Sequence, residues 1–388
     1  MCHNLVMAQT VKKSFQFRIH PTKKQETLLR NTLEQCRRLY NHLLEQRKLS
    51  WEEEKKGLSL YDQINTFPVL KERVPELREV HSQVLQNVAV RIDLAFKAFF
   101  RRIKQGIDPG CPRFRGCGRY DSFTYPQNGW RINDKSVSLS KIGKVKTIFH
   151  RPIEGCVKTC TVRRTATGKW FVSFSCEIGL NLLPTNDLSV GLDAGLTSFI
   201  ILSNGEKVDN PHFFKTEEKT LAKAQRKLSK QAKGTKKRHK ARKVVARVYE
   251  RITNKRRDFT HKLSSKLVNT YGTIVIEDLS INDMQKDNFR CINKGIADVA
   301  WGNFFNLLTY KAEYAGRSVV KVNPAYTSQT CSRCGYRQKM PLSNRTFQCP
   351  CCSLSLDRDH NAAINIHSLG LQTVDRKVIE APGFSRGE

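Results

Sequence analysis

Two tight cysteine turns fix the shape of one part of this chain more firmly than any other feature of its sequence. Cys331-Ser-Arg-Cys334 and Cys349-Pro-Cys-Cys352 are Cys-x-x-Cys turns separated by 14 residues. Four thiolates delivered by two such turns surround one tetrahedral zinc ion at about 2.3 Å, and the loop between them needs only a short hairpin. A pair of redox dithiols is the rival reading, but neither turn sits in the βαβ context of a thioredoxin-like site. Cys351 leaves the ligand choice in the second turn slightly ambiguous, and the spacing favours Cys349 and Cys352. A site closed by four thiolates has no open position, so its zinc holds a loop together and any chemistry comes from elsewhere.

Charge indicates what the chain works on. Its 388 residues carry 68 Lys and Arg against 35 Asp and Glu, a formal charge of +33. Such an excess self-repels unless a polyanion neutralises it, and nucleic acid is the natural polyanion. A structural RNA-binding protein with a zinc ribbon would account for charge and cysteines equally well, so charge alone does not establish an enzyme. The 39% of hydrophobic residues is enough to bury real cores, and the length suits two or three domains. No apolar run approaches the roughly 20 residues that span a bilayer. Residues 1 to 10 lack the long apolar core of a secretory signal, and Met7 is an alternative start because patterned sequence begins at Val11. The thirteen cysteines accordingly read as thiols or metal ligands in a reducing compartment.

The hydrophobic period changes along the chain. Phe15, Phe17 and Ile19 alternate with polar residues in a strand over 12–20 closed by Pro21. Leu29, Leu33, Cys36, Tyr40 and Leu43, and later Leu85, Val88, Ile92, Phe96, Phe99 and Ile103, recur at three and four residues and predict helices. Residues 21–104 therefore read as a helical insertion. From Pro112 to Ile178 the period is two, with a hairpin turned at Thr167-Gly168, and these strands join the first one in a small barrel or sheet. Residues 181–188 read as a linker, and the remainder as α/β. In the latter, 190–193 and 197–202 form a strand pair, 273–276 is a buried strand, 301–315 a helix and 318–322 a further strand. Between them runs a basic helical region, 215–268, with 20 Lys or Arg against 4 Asp or Glu. So one-signed a run fits a phosphate backbone better than a simple solvated face.

Acids are scarce here, so their placement is informative. Asp193 ends the strand of Gly191-Leu-Asp-Ala-Gly195, Glu277 ends that of Ile274-Val-Ile-Glu-Asp278, and Asp359 opens a helix in Asp357-Arg-Asp-His-Asn-Ala-Ala363. Each alone is an ordinary cap or turn residue. Together they suit magnesium, which prefers oxygen ligands on rigid elements and in pairs promotes phosphodiester hydrolysis. Asp278 and Asp357 are read as neighbours that support or cap.

At these residues the chain resembles the TnpB (OrfB) family of insertion-sequence proteins, compact relatives of the type V CRISPR effectors. The resemblance rests on Gly191-Leu-Asp-Ala-Gly195, Ile276-Glu-Asp-Leu279, Tyr326-Thr-Ser-Gln-Thr-Cys-Ser-Arg-Cys-Gly335 and Asp357-Arg-Asp-His-Asn-Ala-Ala-Ile-Asn365, with Phe17-Arg-Ile-His-Pro21 and Cys111-Pro-Arg-Phe-Arg115 earlier. It covers nearly the whole chain; the extra Cys351 and the short tail after Gly370 depart from it. It implies a multidomain α+β fold. A split β-barrel wedge domain (1–20 and 105–185) would hold a helical recognition insertion (21–104). A RuvC-type, ribonuclease H-like α/β nuclease domain (186–388) would follow, with a zinc ribbon (325–356) inserted before the last acid.

The resemblance further implies an RNA-guided double-stranded DNA endonuclease whose guide comes from the end of its own transposon and whose target carries a short flanking motif. Asp193, Glu277 and Asp359 would hold two magnesium ions, and Cys331, Cys334, Cys349 and Cys352 one zinc. The partners would be guide RNA and target DNA, with no membrane and with the transposase of the same element as a further candidate, in a prokaryotic cytosol near the nucleoid. Lys236, Lys237, Arg238, Arg256 and Arg257 are candidates for nucleic-acid contact, and Tyr61, Gln86 and Asn87 for motif reading. A guided repressor without cleavage and a strand-joining transposase are the alternatives. All three acids argue against the first; a ribonuclease H-like triad is compatible with the second.

Overall fold

The computed structural model describes residues 10–280, 284, 290–341 and 344–380, and the chain divides after Gly179 into two compact units. The first is built on β1 (Thr10–His20). Its buried Phe15, Phe17 and Ile19 alternate with more exposed neighbours, as a strand with one buried face requires. β1 lies antiparallel between β5 (Gly143–Ile148) and β7 (Trp170–Gly179). β2 (Ser122–Tyr125), β3 (Trp130–Asn133), β4 (Ser136–Leu139) and β6 (Cys156–Arg164) complete seven strands in the order β2-β6-β7-β1-β5-β4-β3. Trp130 on β3 meets Phe174 on β7, four strands away, with ring centroids 5.7 Å apart. The sheet therefore curls into a nearly closed barrel.

The helical insertion consists of α1 (Lys23–Glu54), α2 (Leu60–Asn65), α3 (Phe67–Arg73), a 3-10 turn (Pro75–Glu79) and α4 (Ser82–Lys104). Thr22 and Gln25 close a capping box at the start of α1. Its stripe of Leu29, Leu33, Cys36, Tyr40 and Leu43 and that of α4, Leu85, Val88 and Ile92, join Phe15, Phe17 and Phe174 in one continuous core. Insertion and sheet thus share one core, where period alone reads a separate helical insertion. Pattern within a segment shows which face is apolar and says nothing of what covers it.

The second unit carries a five-stranded sheet in the order β10-β9-β8-β11-β12. β8 (Ser189–Asp193), β11 (Thr273–Glu277) and β12 (Ser318–Val322) are parallel, while β9 (Ser198–Leu202) and β10 (Lys207–Asp209) continue antiparallel. The basic region is two helices, α5 (Phe213–Ser229) and α6 (Lys236–Thr270). Gly234, at a φ of +85°, makes the turn between them. Then follow α7 (Arg290–Val299), α8 (Trp301–Ala315) and α9 (Arg358–Glu380). Leu263 and Leu267 of α6 and Trp301, Phe304 and Leu308 of α8 cover one face of the sheet, while Ile366 of α9 packs with Val275 and Val322 on the other. The expected linker is held down: Leu183 N–H donates to Ala315 O at 3.0 Å, and Arg317 donates to Pro184 O at 2.7 Å. A short ribbon of β13 (Thr346–Gln348) and β14 (Ser355–Asp357) lies between β12 and α9.

Candidate active site

Asp193 and Glu277 are the last residues of β8 and β11, parallel neighbours whose register pairs Leu192 with Ile276. One residue further, both carboxylates leave the sheet at the same edge, the carboxyl ends of parallel strands, where ligands collect in open α/β sheets. Asp359 comes from α9, which is drawn tight against β8 at Gly191. A Cβ at Gly191 would stand 2.4 Å from Ala363 O and 2.6 Å from His367 N, so only glycine allows this approach. Ser189 Oγ and His367 Nε2, 2.7 Å apart, fasten the same seam.

The start of α9 is built with similar care. Asp357 caps it, Oδ1 accepting from the N–H groups of Asp359 (3.0 Å) and His360 (3.1 Å), while Lys207 pairs with Oδ2 at 2.8 Å. Asp357 is thus a capping residue, and Asp278 is a surface partner of Lys321 at 2.9 Å. Asp359 itself lies 3.2 Å from Arg358 and 3.8 Å from Arg345.

Asp193 feels the other two acids. Burial, then the negative charges of Glu277 and Asp359, push the Asp193 carboxyl up to about 8, against a smaller pull from Arg358. Burial also raises Glu277, which is partly compensated because Thr327 Oγ1 donates to its Oε1 at 2.7 Å. Asp193 is thus biased toward keeping its proton when no cation is bound, and a divalent cation is what would replace that proton. A carboxyl raised in the folded state stabilises most below its unfolded value near 4 and loses that contribution as pH rises to about 8. We expect the thermal midpoint of the chain in a chelator to fall between pH 5 and about pH 8, and Asp193→Asn to remove most of that fall.

The four predicted cysteines come together. Sγ atoms of Cys331, Cys334, Cys349 and Cys352 all lie within 4.8 Å of one another, and Cys351 lies outside that group. Cys331 and Cys352, and likewise Cys334 and Cys349, are 3.5 Å apart, close to the roughly 3.8 Å edge of a tetrahedron with 2.3 Å arms. The donor set fits zinc. Among the described residues the three acids, though in electrostatic contact, do not draw their oxygens into so close a group.

The nucleic-acid candidates separate by what their side chains already do. Lys236, Lys237 and Arg257 are exposed on α6. Arg238 instead ties the helix hairpin, donating to Leu228 O (3.1 Å) and Gln231 O (2.6 Å). Arg256 pairs at 2.9 Å with the buried Asp298, which also accepts from Phe214 N–H. Tyr61 is 74% exposed; Gln86 is exposed, and Asn87 is half-buried and accepts from Arg91 at 3.1 Å. Replacing both Lys236 and Lys237 by alanine is expected to lower the slope of log affinity for RNA against log salt by about 1 to 2, since each lost phosphate contact to a single or double strand removes about 0.7 to 0.9. Side chains that sequence reasoning did not single out are Thr327, Asn361 and Asn365. Their signal was present inside two of the quoted motifs, without a charge to draw notice.

Three family models match successive parts of the chain: a "Helix-turn-helix domain" over 7–56, a "Probable transposase" of the OrfB type over 173–288 and a "Cas12f1-like, TNB domain" over 301–366. Over the first of these, the described residues form a strand and one continuous helix of 32 residues. A Streptomyces pristinaespiralis protein, provisionally named an RNA-guided DNA endonuclease, is 37% identical over 94% of this chain and 91% of its own length. The Escherichia coli K12 protein InsQ, of the same provisional name, is 31% identical over 92% of each. The chain belongs to the TnpB family. The fold of this TnpB protein also resembles that of a solved Cas12f1 chain, taken from its complex with guide RNA and target DNA. The TM-score is 0.61 at 14% identity, over 92% of this chain and 99% of that one, a likeness of fold. No helix among the described residues is long and apolar enough to cross a membrane.

Proposed function

We propose that this TnpB chain is an RNA-guided endonuclease that cuts double-stranded DNA, with Asp193, Glu277 and Asp359 as its cation-binding acids. The carrying observation is that Asp193, its carboxyl pushed up by burial and then by Glu277 and Asp359, ends β8 beside Glu277 at the end of the parallel neighbour β11. Such an arrangement is costly in an otherwise cationic protein and is offset once cations bind. Two magnesium ions held there would polarise the phosphodiester, supply the attacking hydroxide and stabilise the leaving oxygen.

The chain's own residues do the rest. β8 and β11 keep Asp193 and Glu277 side by side, and α9 brings Asp359 to them. Exposed lysines and arginines of α5 and α6 neutralise phosphates without reading bases. Four cysteines hold one zinc and shape the ribbon between β12 and α9. The names carried by the two relatives support the reading of guide and target. Origin of the guide at the transposon end, a flanking motif read near Tyr61 and Gln86, and cooperation with the transposase of the same element belong to the proposal.

The test is purification with bound RNA, sequencing of that RNA, and incubation with plasmids carrying matching or scrambled targets in magnesium or EDTA. Linear product from the matching plasmid in magnesium alone is expected. Intact plasmid under guide-dependent binding would favour a repressor. The transposase reading, favoured by the name of the central family model, would be supported by strand-transfer products.

A further inference from the structure

A hydrogen-bonded chain runs from the cysteine turn to the carboxylate cluster. Asn361 of α9 is fully buried, and both ends of its amide are engaged: Oδ1 accepts from Ser332 N–H, inside the Cys331–Cys334 turn, at 2.9 Å, and Nδ2 donates to Thr330 O at 2.7 Å. One helical turn later on the same face, Asn365 Nδ2 donates to Thr330 O at 2.7 Å and to Thr327 O at 2.8 Å. The loop 327–332 is thereby bolted along the helix that presents Asp359. At its far end the Thr327 hydroxyl faces two acceptors, Glu277 Oε1 at 2.7 Å and Pro324 O at 3.1 Å. A hydroxyl has one hydrogen, and the shorter, charge-assisted contact to the carboxylate takes it. Thr327 is 5% exposed, so water does not readily replace that donor.

We propose that Thr327 is a positioning residue for Glu277, itself held by Asn365 and Asn361, so that the cysteine turn and the α9 carboxylate share one rigid mount. A plain structural role would spend the hydroxyl on backbone, as Thr309 does with Phe305 O; here it is aimed at a carboxylate of the cluster. Partners that orient a metal-binding carboxylate are worth about 10- to 100-fold in metal affinity.

The assignment rests on the proposed cation site, and the experiment keeps the two apart. Mn2+ binding to the full chain, freed of RNA, is titrated by electron paramagnetic resonance for wild type, Thr327→Val, Thr327→Ser and Asp193→Ala, with zinc content and thermal midpoint measured on each. We expect Thr327→Val to weaken Mn2+ binding at least about tenfold with zinc content unchanged, and Thr327→Ser to restore it. Thr327→Ala is read in the same way and carries the claim if the valine variant loses zinc. Loss of Mn2+ in Asp193→Ala together with wild-type affinity in Thr327→Val overturns the role of Thr327 alone. Wild-type affinity in Asp193→Ala overturns the cation site itself.

Discussion

Asp193→Ala is expected to depress DNA cutting by about 100- to 1,000-fold, while leaving RNA and target binding at wild-type strength. Removing one preorganised group that stabilises transition-state charge costs about 100- to 1,000-fold, and Asp193 stands beside the strand that carries Glu277. It ends β8, with β11 and Glu277 on one side and β9 on the other. The next two residues on the chain, Ala194 and Gly195, carry no group that could take its place. Binding should persist because the cationic surface of α5 and α6 is distant in sequence and unaltered by the change. Asp193→Asn sharpens the test by keeping shape while removing charge. It should cut no better than the alanine variant, yet in a chelator at pH 8 it should melt no lower than wild type, since it lacks a carboxyl that burial and Glu277 hold up at about 8. Single-turnover cleavage and filter binding read the two effects separately. Cutting at the wild-type rate by either variant would show that the nuclease chemistry lies elsewhere.

What the sequence disclosed and what it concealed have physical causes. Strand ends at Asp193 and Glu277 were legible because buried parallel strands are continuous apolar runs, broken visibly by a carboxylate. The cysteine set was legible because two-residue spacing is a geometric requirement of a tetrahedral site. The side-by-side placement of the two acids is a matter of strand register across 83 intervening residues, which no local pattern encodes. The uses of basic residues were equally hidden. Arg238 and Arg256 read as two more cations of a one-signed run, but one ties a helix hairpin and the other neutralises Asp298, so a charge count overstates the surface available to phosphate. Asn361, Asn365 and Thr327 left least trace of all. Their work is side chain to backbone, or hydroxyl to carboxylate, and such bonds leave no hydrophobic period.

Cys334→Ser should cost nearly the whole of the bound zinc, from about one per chain to near zero, and with it the order of the ribbon. The segment has little else to stand on. Its sheet is two strands of three residues, and its core is Cys331, Phe347 and Cys349 with Met340, Cys352 and Leu354 packed around them, so half of the core is made of the ligands. Two-stranded ribbons of this size are not stable alone in water, whereas a structural zinc contributes on the order of 10 kcal/mol at neutral pH. The loss should spread, because Ser332 N–H is an anchor of Asn361 and the same loop ends at Thr327 against Glu277. We therefore expect Cys334→Ser to expose the stretch around 330–350 to limited proteolysis and to depress cutting severely while both compact units keep their folds. Cys351→Ser is the matched control: Cys351 is exposed and outside the sulfur cluster, and the change should leave zinc content, proteolysis and cutting unaltered. Zinc retained in Cys352→Ser but lost in Cys351→Ser would mean that the second turn binds through the adjacent sulfur, shifting the ribbon's register by one residue against α9 and the carboxylates it helps to hold.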